Sequence, residues 1–463
     1  MPRFLEFLRT DDLPFLTRRN YRYEIEHILL WGAVVGAVEG NIASVIAAKT
    51  FNASQLLITV VWAIPVVINV LNVFWGAVLR GRPRIPAYVT LVAAAAFTIG
   101  TVALTPRGFA YAGWLFAAQV AAANFFLSGI VTLRSTVWRS NYPQSHRAVI
   151  SGRVSTARMI IELITAALLG MLFDHNPDYY APAFLVISII GGLAILPLRK
   201  IRVRGESAEL RRVTARIAED RAGAPENGKR PRFPSIVESF GILKHDALFR
   251  RFMVAQFLLG SANFFVGPIL IELVDRRLGY GYFQSALLLV LVPTCFRLAA
   301  IRKWSPLFDR VGAVQFRVAN TQVWLWTYGL LFIGVLLVDQ PFATAIVIGI
   351  FLISVSRILH GIGHGGGQIA WNLGHLHFAP EHQTELYMGV HVALTGLRGL
   401  IMPLIGLVLY AYIGSYSFLV AFFISLASYL SFRSVARDDS RTATEAEAHA
   451  GEISAATART GVT

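Results

Sequence analysis

The amino-acid sequence predicts an all-α membrane protein, with twelve transmembrane helices arranged as two six-helix bundles. Three observations lead there. Of 463 residues, 55% are hydrophobic and only 15% charged, where a soluble domain carries about 25% charged residues. With a mean hydropathy of +0.56, this excludes a soluble enzyme of this size and excludes disorder. Apolar runs of the roughly 20 residues needed to cross a bilayer recur along the whole chain. Runs such as AFFISLASYLSF do not fit barrel strands, so helices that satisfy their own backbone groups are the form that fits. The charges are also segregated. With both termini placed inside, the inner segments hold 34 of the 42 Lys and Arg, and the outer loops hold only Lys49, Arg107, Arg276 and Arg277. Cytoplasmic enrichment of basic residues orients such proteins, so both termini are expected in the cytoplasm. The net charge of +15 is then an orientation signal with an attraction to anionic lipid, and nucleic acid is not an expected partner.

The elements follow in order. Residues 1–26 form a cytoplasmic arm that mixes Phe and Leu with Arg, and either lies along the membrane interface or is solvated. It carries no signal-peptide cleavage pattern, so the first span acts as its own insertion signal. Spans at 27–48, 54–78, 86–105, 110–133, 154–173 and 181–198 make an N-terminal bundle over 27–198. Residues 199–251 are a charged cytoplasmic linker, with a short helix over 206–222 and a flexible joint at GAPENGKRPRFP. Spans at 252–274, 283–301, 318–338, 341–368, 386–411 and 416–432 make a C-terminal bundle over 252–432. The tail, 433–463, is polar and poor in aromatics and is expected to be disordered. The one cysteine, Cys295, excludes a disulfide framework and a metal site built on thiolates.

The halves are related. Pro143 is followed nine residues later by Gly152, and Pro380 nine residues later by Gly389; each proline ends a helix on the inner side. Trp75-Gly76 opens the basic turn GAVLRGRPR, and Trp304-Ser305 opens SPLFDRVG. The second of these, KWSPLFDRVGAVQFR, resembles the loop signature of the major facilitator superfamily of transporters. Asp309, Arg310 and Gly312 match it, while Ser305 replaces its opening glycine. In the N-terminal half Gly76 matches that glycine, but Arg80 stands where the acid belongs. The resemblance implies two six-helix halves about a central substrate site, and alternating access between the two sides of the membrane. It also implies that spans 3, 6, 9 and 12 are peripheral. Those four carry no charge in their interiors, whereas Glu39, Arg158, Glu162, Arg297, Arg357 and Arg398 fall on spans 1, 5, 8, 10 and 11.

Charges at membrane depth are costly and usually face a cavity. Glu39 has no basic residue within a helical turn, which suits a proton carrier; pairing with an arginine from another helix is the competing reading. Arg158 and Glu162, four residues apart, share a face, as a structural pair or as substrate contacts. Span 10 carries Arg357, His360, His364, Gln368 and Trp371 on one face, beside the run Gly365-Gly366-Gly367. Span 11 answers with His391, Thr395 and Arg398. These histidines could sense protons, line a polar wall or simply pack; a metal site needs three or four converging ligands, and none is expected. Gln256, Gly260, Asn263 and Gly267 on span 7, and Pro65, Asn69, Asn72 and Gly76 on span 2, form uncharged stripes that line a cavity or pack closely.

The resemblance therefore implies a monomeric secondary active transporter of the bacterial cytoplasmic (inner) membrane. It would move a small polar or anionic solute, with Arg297, Arg357 and Arg398 orienting it and protons as the candidate coupling ion; no cofactor is expected. A membrane enzyme with an inner-face site, or a sensor on the same scaffold, are the competing classes. The enzyme's nearest loop set, Glu381, His382 and Glu385, has no suitably spaced nucleophile beside it. An inner gate is expected between Arg80, Arg82 and Arg84 and the pair Glu381 and Glu385, with Asp309 opposite Arg147 or Arg153.

Overall fold

In the computed structural model, the described residues are 7–38, 41–68, 71, 74–75, 78–79, 81–208, 210–212, 215, 240–380 and 384–460. The side chains of 144, 145, 148, 384–386 and 441–460 are not among them. Among these residues the regular structure is helical throughout, and eight helices are long and apolar enough to cross a membrane. The main helices are α1 (Phe15–Val38), α2 (Asn41–Thr50), α3 (Gln55–Ile68), α4 (Arg84–Thr101), α5 (Ala112–Asn141), α6 (Gln144–His175), α7 (Tyr180–Leu193), α8 (Ala247–Glu272), α9 (Val292–Val338), α10 (Ala343–Leu373), α11 (Thr384–Ile413) and α12 (Ser417–Thr460). The pair α1 and α2 is bent by 50°.

Two continuous segments are too long for one crossing. Tyr282–Val338 has 57 residues, about 85 Å of helix at 1.5 Å per residue, against a hydrocarbon core of about 30 Å. Gly312 divides it, at φ 74 and ψ 171. Tyr387–Ser440 is divided likewise at Gly414, with φ 53. Left-handed backbone of this kind is open to glycine at little cost. Gly312 is the glycine of the loop signature, so the resemblance located a real turn. In the N-terminal half the left-handed residue is Gly81, at φ 74, two positions before Pro83. The two turns are thus built differently from related sequence.

The chain separates into two compact units. The first holds residues 1–233, 265–294 and 399–408; the second holds 234–264, 295–398 and 409–463. In the first unit α1 packs on α6 and α7, α4 on α5 and α7, and α3 on α5. The helix α1 starts at Phe15, well before the expected span edge at 27, and this places Glu24 inside the packed helix, 5% exposed. Its carboxylate accepts hydrogen bonds from Trp138 Nε1 and from Tyr142 Oη, the latter at 2.5 Å. The arm is docked where it is described. Phe7 and Leu13 are buried, Tyr21 Oη donates to the Phe7 carbonyl at 2.6 Å, and Arg153 Nη2 lies 2.6 Å from Asp12 Oδ2.

That ion pair sets a pH limit on the arm. The hydrogen bond from Arg153 holds the Asp12 carboxyl below its usual range. A depressed carboxylate contributes above its unfolded value of about 3.9 and loses its contribution as pH falls through the lowered folded value. Hydrogen-exchange protection over residues 7–14, relative to the intrinsic rate at each pH, is therefore expected to be flat from neutral pH to about 5 and to fall only below about 4. In Asp12→Asn it should be low at every pH; an arm that loosens between pH 7 and 5 would refute the pairing.

At the far end of the first unit, the charges expected in outer loops are engaged. Lys49 Nζ lies 2.5 Å from Asp275 Oδ1 and donates to the Tyr280 carbonyl. Asp174, near the end of α6, accepts from the backbone N–H of Tyr282 at 2.5 Å and of Phe283 at 2.8 Å. These are free amides at the start of the short helix Tyr282–Ala286, and a carboxylate there is favoured by the helix dipole.

In the second unit the glycine-rich part of α10 is a close-packing seam. Asn320 Nδ2 donates to the Gly363 carbonyl at 2.9 Å and Trp304 Nε1 to the Ile362 carbonyl at 2.8 Å. A Cβ on Gly363 would sit 2.9 Å from the Trp324 ring. Small residues let α9 approach closely there. The helix α12 continues through Thr460, and its Ala, Glu and Arg residues are good helix formers; residues 461–463 of the expected tail lie outside the described residues. Arg251 and His377 hold Asp438 and Asp439, at 2.5 and 3.0 Å.

Candidate functional site

Four helices of the second unit carry two clusters of cations. On α10, the helical spacing keeps Arg357, His360, His364 and Gln368 on one face, as the sequence predicts. Arg357 is 3% exposed, whereas His364, two turns further along the same face, is exposed. The His360 ring lies 5.9 Å from that of His364 and meets Trp324 edge-on at 5.1 Å. The backbone of Arg297 on α9 comes close to Gly365, where an added Cβ would be 3.0 Å from its carbonyl oxygen.

The second cluster is built from α11, α8 and the second limb of α9. Arg398 is 5% exposed. It donates from Nη1 to the Gln256 carbonyl at 2.7 Å and from Nη2 to Thr395 Oγ1 at 3.1 Å, and its guanidinium lies 5.5 Å from the Phe264 ring centre. Gly260 makes room for it, since a Cβ there would collide with the guanidinium. The Trp371 ring stacks edgewise on His391 at 5.1 Å, and Trp371 Nε1 reaches Thr395 Oγ1 at 3.4 Å. Asn263 lies half-buried on α8.

Arg317 belongs here too, and the sequence reading missed it. It is 1% exposed, and its Nε and Nη2 have no hydrogen-bond partner among the described residues. Among the described residues, its guanidinium donates from Nη1 to Asn320 Oδ1 at 3.5 Å.

What distinguishes both clusters is their sign. The titratable groups acting on His360 are Arg357, His364 and Arg297, and those acting on His391 are Arg398, Arg317 and His375. The sequence holds no Asp or Glu over 252–271, 310–338, 340–380 or 386–437. Arg317, Arg357 and Arg398 are buried in segments without Asp or Glu, and burying a cation without a counter-charge is costly. The planar guanidinium, with its fixed fork of donors, suits a carboxylate, phosphate or sulfate. Among the described residues no three of His, Cys, Asp and Glu converge as a metal site would require.

The other expected residues are distributed as follows. Arg158 Nε lies 3.4 Å from Glu162 Oε1 in the first unit, so the i, i+4 pair forms. Arg84 Nη1 donates to Ser140 Oγ at 2.7 Å, and its backbone N–H to Glu206 Oε1 at 2.7 Å. Arg147 caps the Arg139 and Tyr142 carbonyls, and Arg153 is held by Asp12. Arg82 is exposed in the Gly81 turn, and Asp309 and Arg310 are exposed just before Gly312. Glu39, Gly76, Arg80 and Glu381 lie outside the described residues, as does the side chain of Glu385.

Comparison with known proteins is informative at the level of fold. No protein-family model matches the chain, and no curated protein matches it. Solved structures do. A nucleoside transporter, NupG, superposes with a TM-score of 0.64 at 11% identity, covering 90% of this chain and 99% of the other. A POT family transporter in complex with a thioalcohol-conjugated peptide gives 0.62 at 13%, covering 90% and 96%. The xylose transporter XylE from E. coli, in an inward open conformation, gives 0.60 at 12%, covering 88% and 94%. At such identity the likeness speaks for the fold alone, and that helical fold is the one this chain shares with the three solved structures.

Proposed function

We propose that this protein is a secondary active transporter for a small anionic solute. The observation that carries the reading is the burial of Arg317, Arg357 and Arg398, all 5% exposed or less, in segments that contain no carboxylate. An anion carrying a carboxylate, phosphate or sulfate supplies the missing counter-charge and binds the forked donors. The fold shared with nucleoside, peptide and xylose transporters supports movement of the solute by alternating access. In this reading the elements divided at Gly312 and Gly414 are each two spans, and α1 with α2 is one. Together with the helix that starts at Gln55 this makes twelve, in a monomer with both termini on the cytoplasmic side of a bacterial inner membrane. The bundle limits are 27–198 and 252–432, joined by 199–251. The inner gate sets Arg80, Arg82 and Arg84 against Glu381 and Glu385, and Asp309 against Arg147 or Arg153.

The test is a thermal-stabilisation screen of purified protein against carboxylates, phosphate and sulfate esters and neutral sugars, followed by flux of any hit into proteoliposomes. Stabilisation by neutral solutes alone would overturn the anion reading. Coupling is tested on Glu39. Glu39→Gln is expected to abolish accumulation driven by a pH gradient while leaving exchange of solute across the membrane intact. Normal concentrative transport in that variant would remove Glu39 as the proton carrier.

A further inference from the structure

A second basic feature of the second unit lies apart from the cation cluster. A cavity of about 360 Å³ opens between α9 and α12, lined by Gln315, Val318, Arg433, Ala436, Arg437 and Ser440. Arg433 and Arg437 are one turn apart and share a face. The Arg433 guanidinium sits 5.7 Å from the centre of the Tyr429 ring, and Tyr429 Oη accepts from Gln322 Nε2 on α9 at 3.0 Å. One arginine is thus anchored by both helices. The neighbouring acids project from other faces of α12, where Arg251 and His377 hold Asp438 and Asp439. Neither lining arginine pairs with a carboxylate among the described residues.

The cavity also lies where α12 passes from apolar to polar sequence. On the apolar side, Leu430 and Phe423 are 55% and 56% exposed on α12, within about 80° of Arg433 around the helix, and Trp326 on α9 is 67% exposed. From Arg433 back to Phe423 is about 15 Å of helix, half of a hydrocarbon core of about 30 Å. That is the depth of one leaflet.

We propose that this cavity binds the phosphate-bearing headgroup of an anionic phospholipid, whose acyl chains lie along Leu430, Phe423 and Trp326. Basic pockets between membrane helices on the cytoplasmic side recognise anionic headgroups by charge. The adjoining apolar strip is what separates a lipid from a free phosphate, which has no use for it.

Native mass spectrometry of the delipidated full-length protein tests this, with phosphatidylglycerol, phosphatidylcholine and inorganic phosphate as the probes. The wild type is expected to retain phosphatidylglycerol over phosphatidylcholine. The apparent affinity should fall at least tenfold in Arg433→Gln/Arg437→Gln and stay unchanged in the linker control Arg211→Gln/Arg212→Gln. If the double variant does not fold, Arg437→Gln alone, which leaves the Tyr429 stack intact, should show a loss of at least threefold. Equal losses in site and control variants, or displacement of the lipid by excess inorganic phosphate, would each overturn the proposal.

Discussion

Replacing Arg398 with Gln is expected to lower affinity for the transported anion at least tenfold, while the protein still folds. Arg398 already spends one N–H on the Gln256 carbonyl and one on Thr395, and its Nε has no partner among the described residues. A hydrogen bond to a charged group contributes about 1.5–3 kcal/mol, which corresponds to roughly 10- to 150-fold in affinity. Gln shortens the side chain and removes the charge together. Gly260→Ala separates the two effects. The added methyl would collide with the guanidinium, so Arg398 keeps its charge but must leave its place. A loss comparable to that of Arg398→Gln is expected, with Arg398→Lys intermediate because an ammonium lacks the fork. Titration calorimetry with the anion found by screening reads all three. Normal affinity combined with poor folded yield would make Arg398 a packing residue and end its role in binding.

Asp174→Ala is expected to loosen the end of the first unit that holds Lys49 and Asp275, without touching the cation cluster. Its carboxylate receives two backbone N–H groups at the start of the Tyr282–Ala286 helix. Loss of a side chain in such a capping role costs about 0.5–2 kcal/mol. In a globular core that would be minor. In a transporter whose states differ by a few kcal/mol, it changes the population of the open state by roughly 2- to 30-fold. A cysteine placed at Asn52, in a Cys295→Ser background, should react correspondingly faster with a membrane-impermeant maleimide in Asp174→Ala. Asp174→Asn should fall between the two, keeping one acceptor oxygen. A labelling rate identical to the parent would show that these contacts do not hold the end closed.

Much of the architecture was legible because a bilayer makes unusual demands on sequence. Apolar length locates α4 and α7 within a few residues, while α5 and α6 run past the apolar edges at 133 and 154, and the 3.6-residue period puts Arg357, His360 and His364 on one face before any coordinates are known. The pair Arg158 and Glu162 and the turn at Gly312 were readable for the same local reasons. What escaped was set by packing across the chain. Arg317 and Glu24 stand just beyond the hydropathic edges of their spans and read as interfacial anchors. The helices in fact extend past those edges and bury both side chains, Arg317 beside Asn320 and Glu24 beneath Trp138 and Tyr142. The partners of Lys49 and Asp174 lie more than a hundred residues away, at Asp275 and Tyr282, so no spacing rule announces them.

The absence of Asp and Glu from 310–338, 340–380 and 386–437 has a consequence, under the proposed function, in terms of voltage. A binding site that is positive when empty carries that charge through the membrane field whenever the unloaded protein changes state. An elementary charge crossing the full potential corresponds to about 2.3 kcal/mol per 100 mV. An anion that neutralises the site removes this term from the loaded step. The membrane potential would then act on the return of the empty carrier more than on the passage of its cargo. The side of the membrane on which the empty protein rests would be set by the inside-negative potential itself, ahead of any solute gradient.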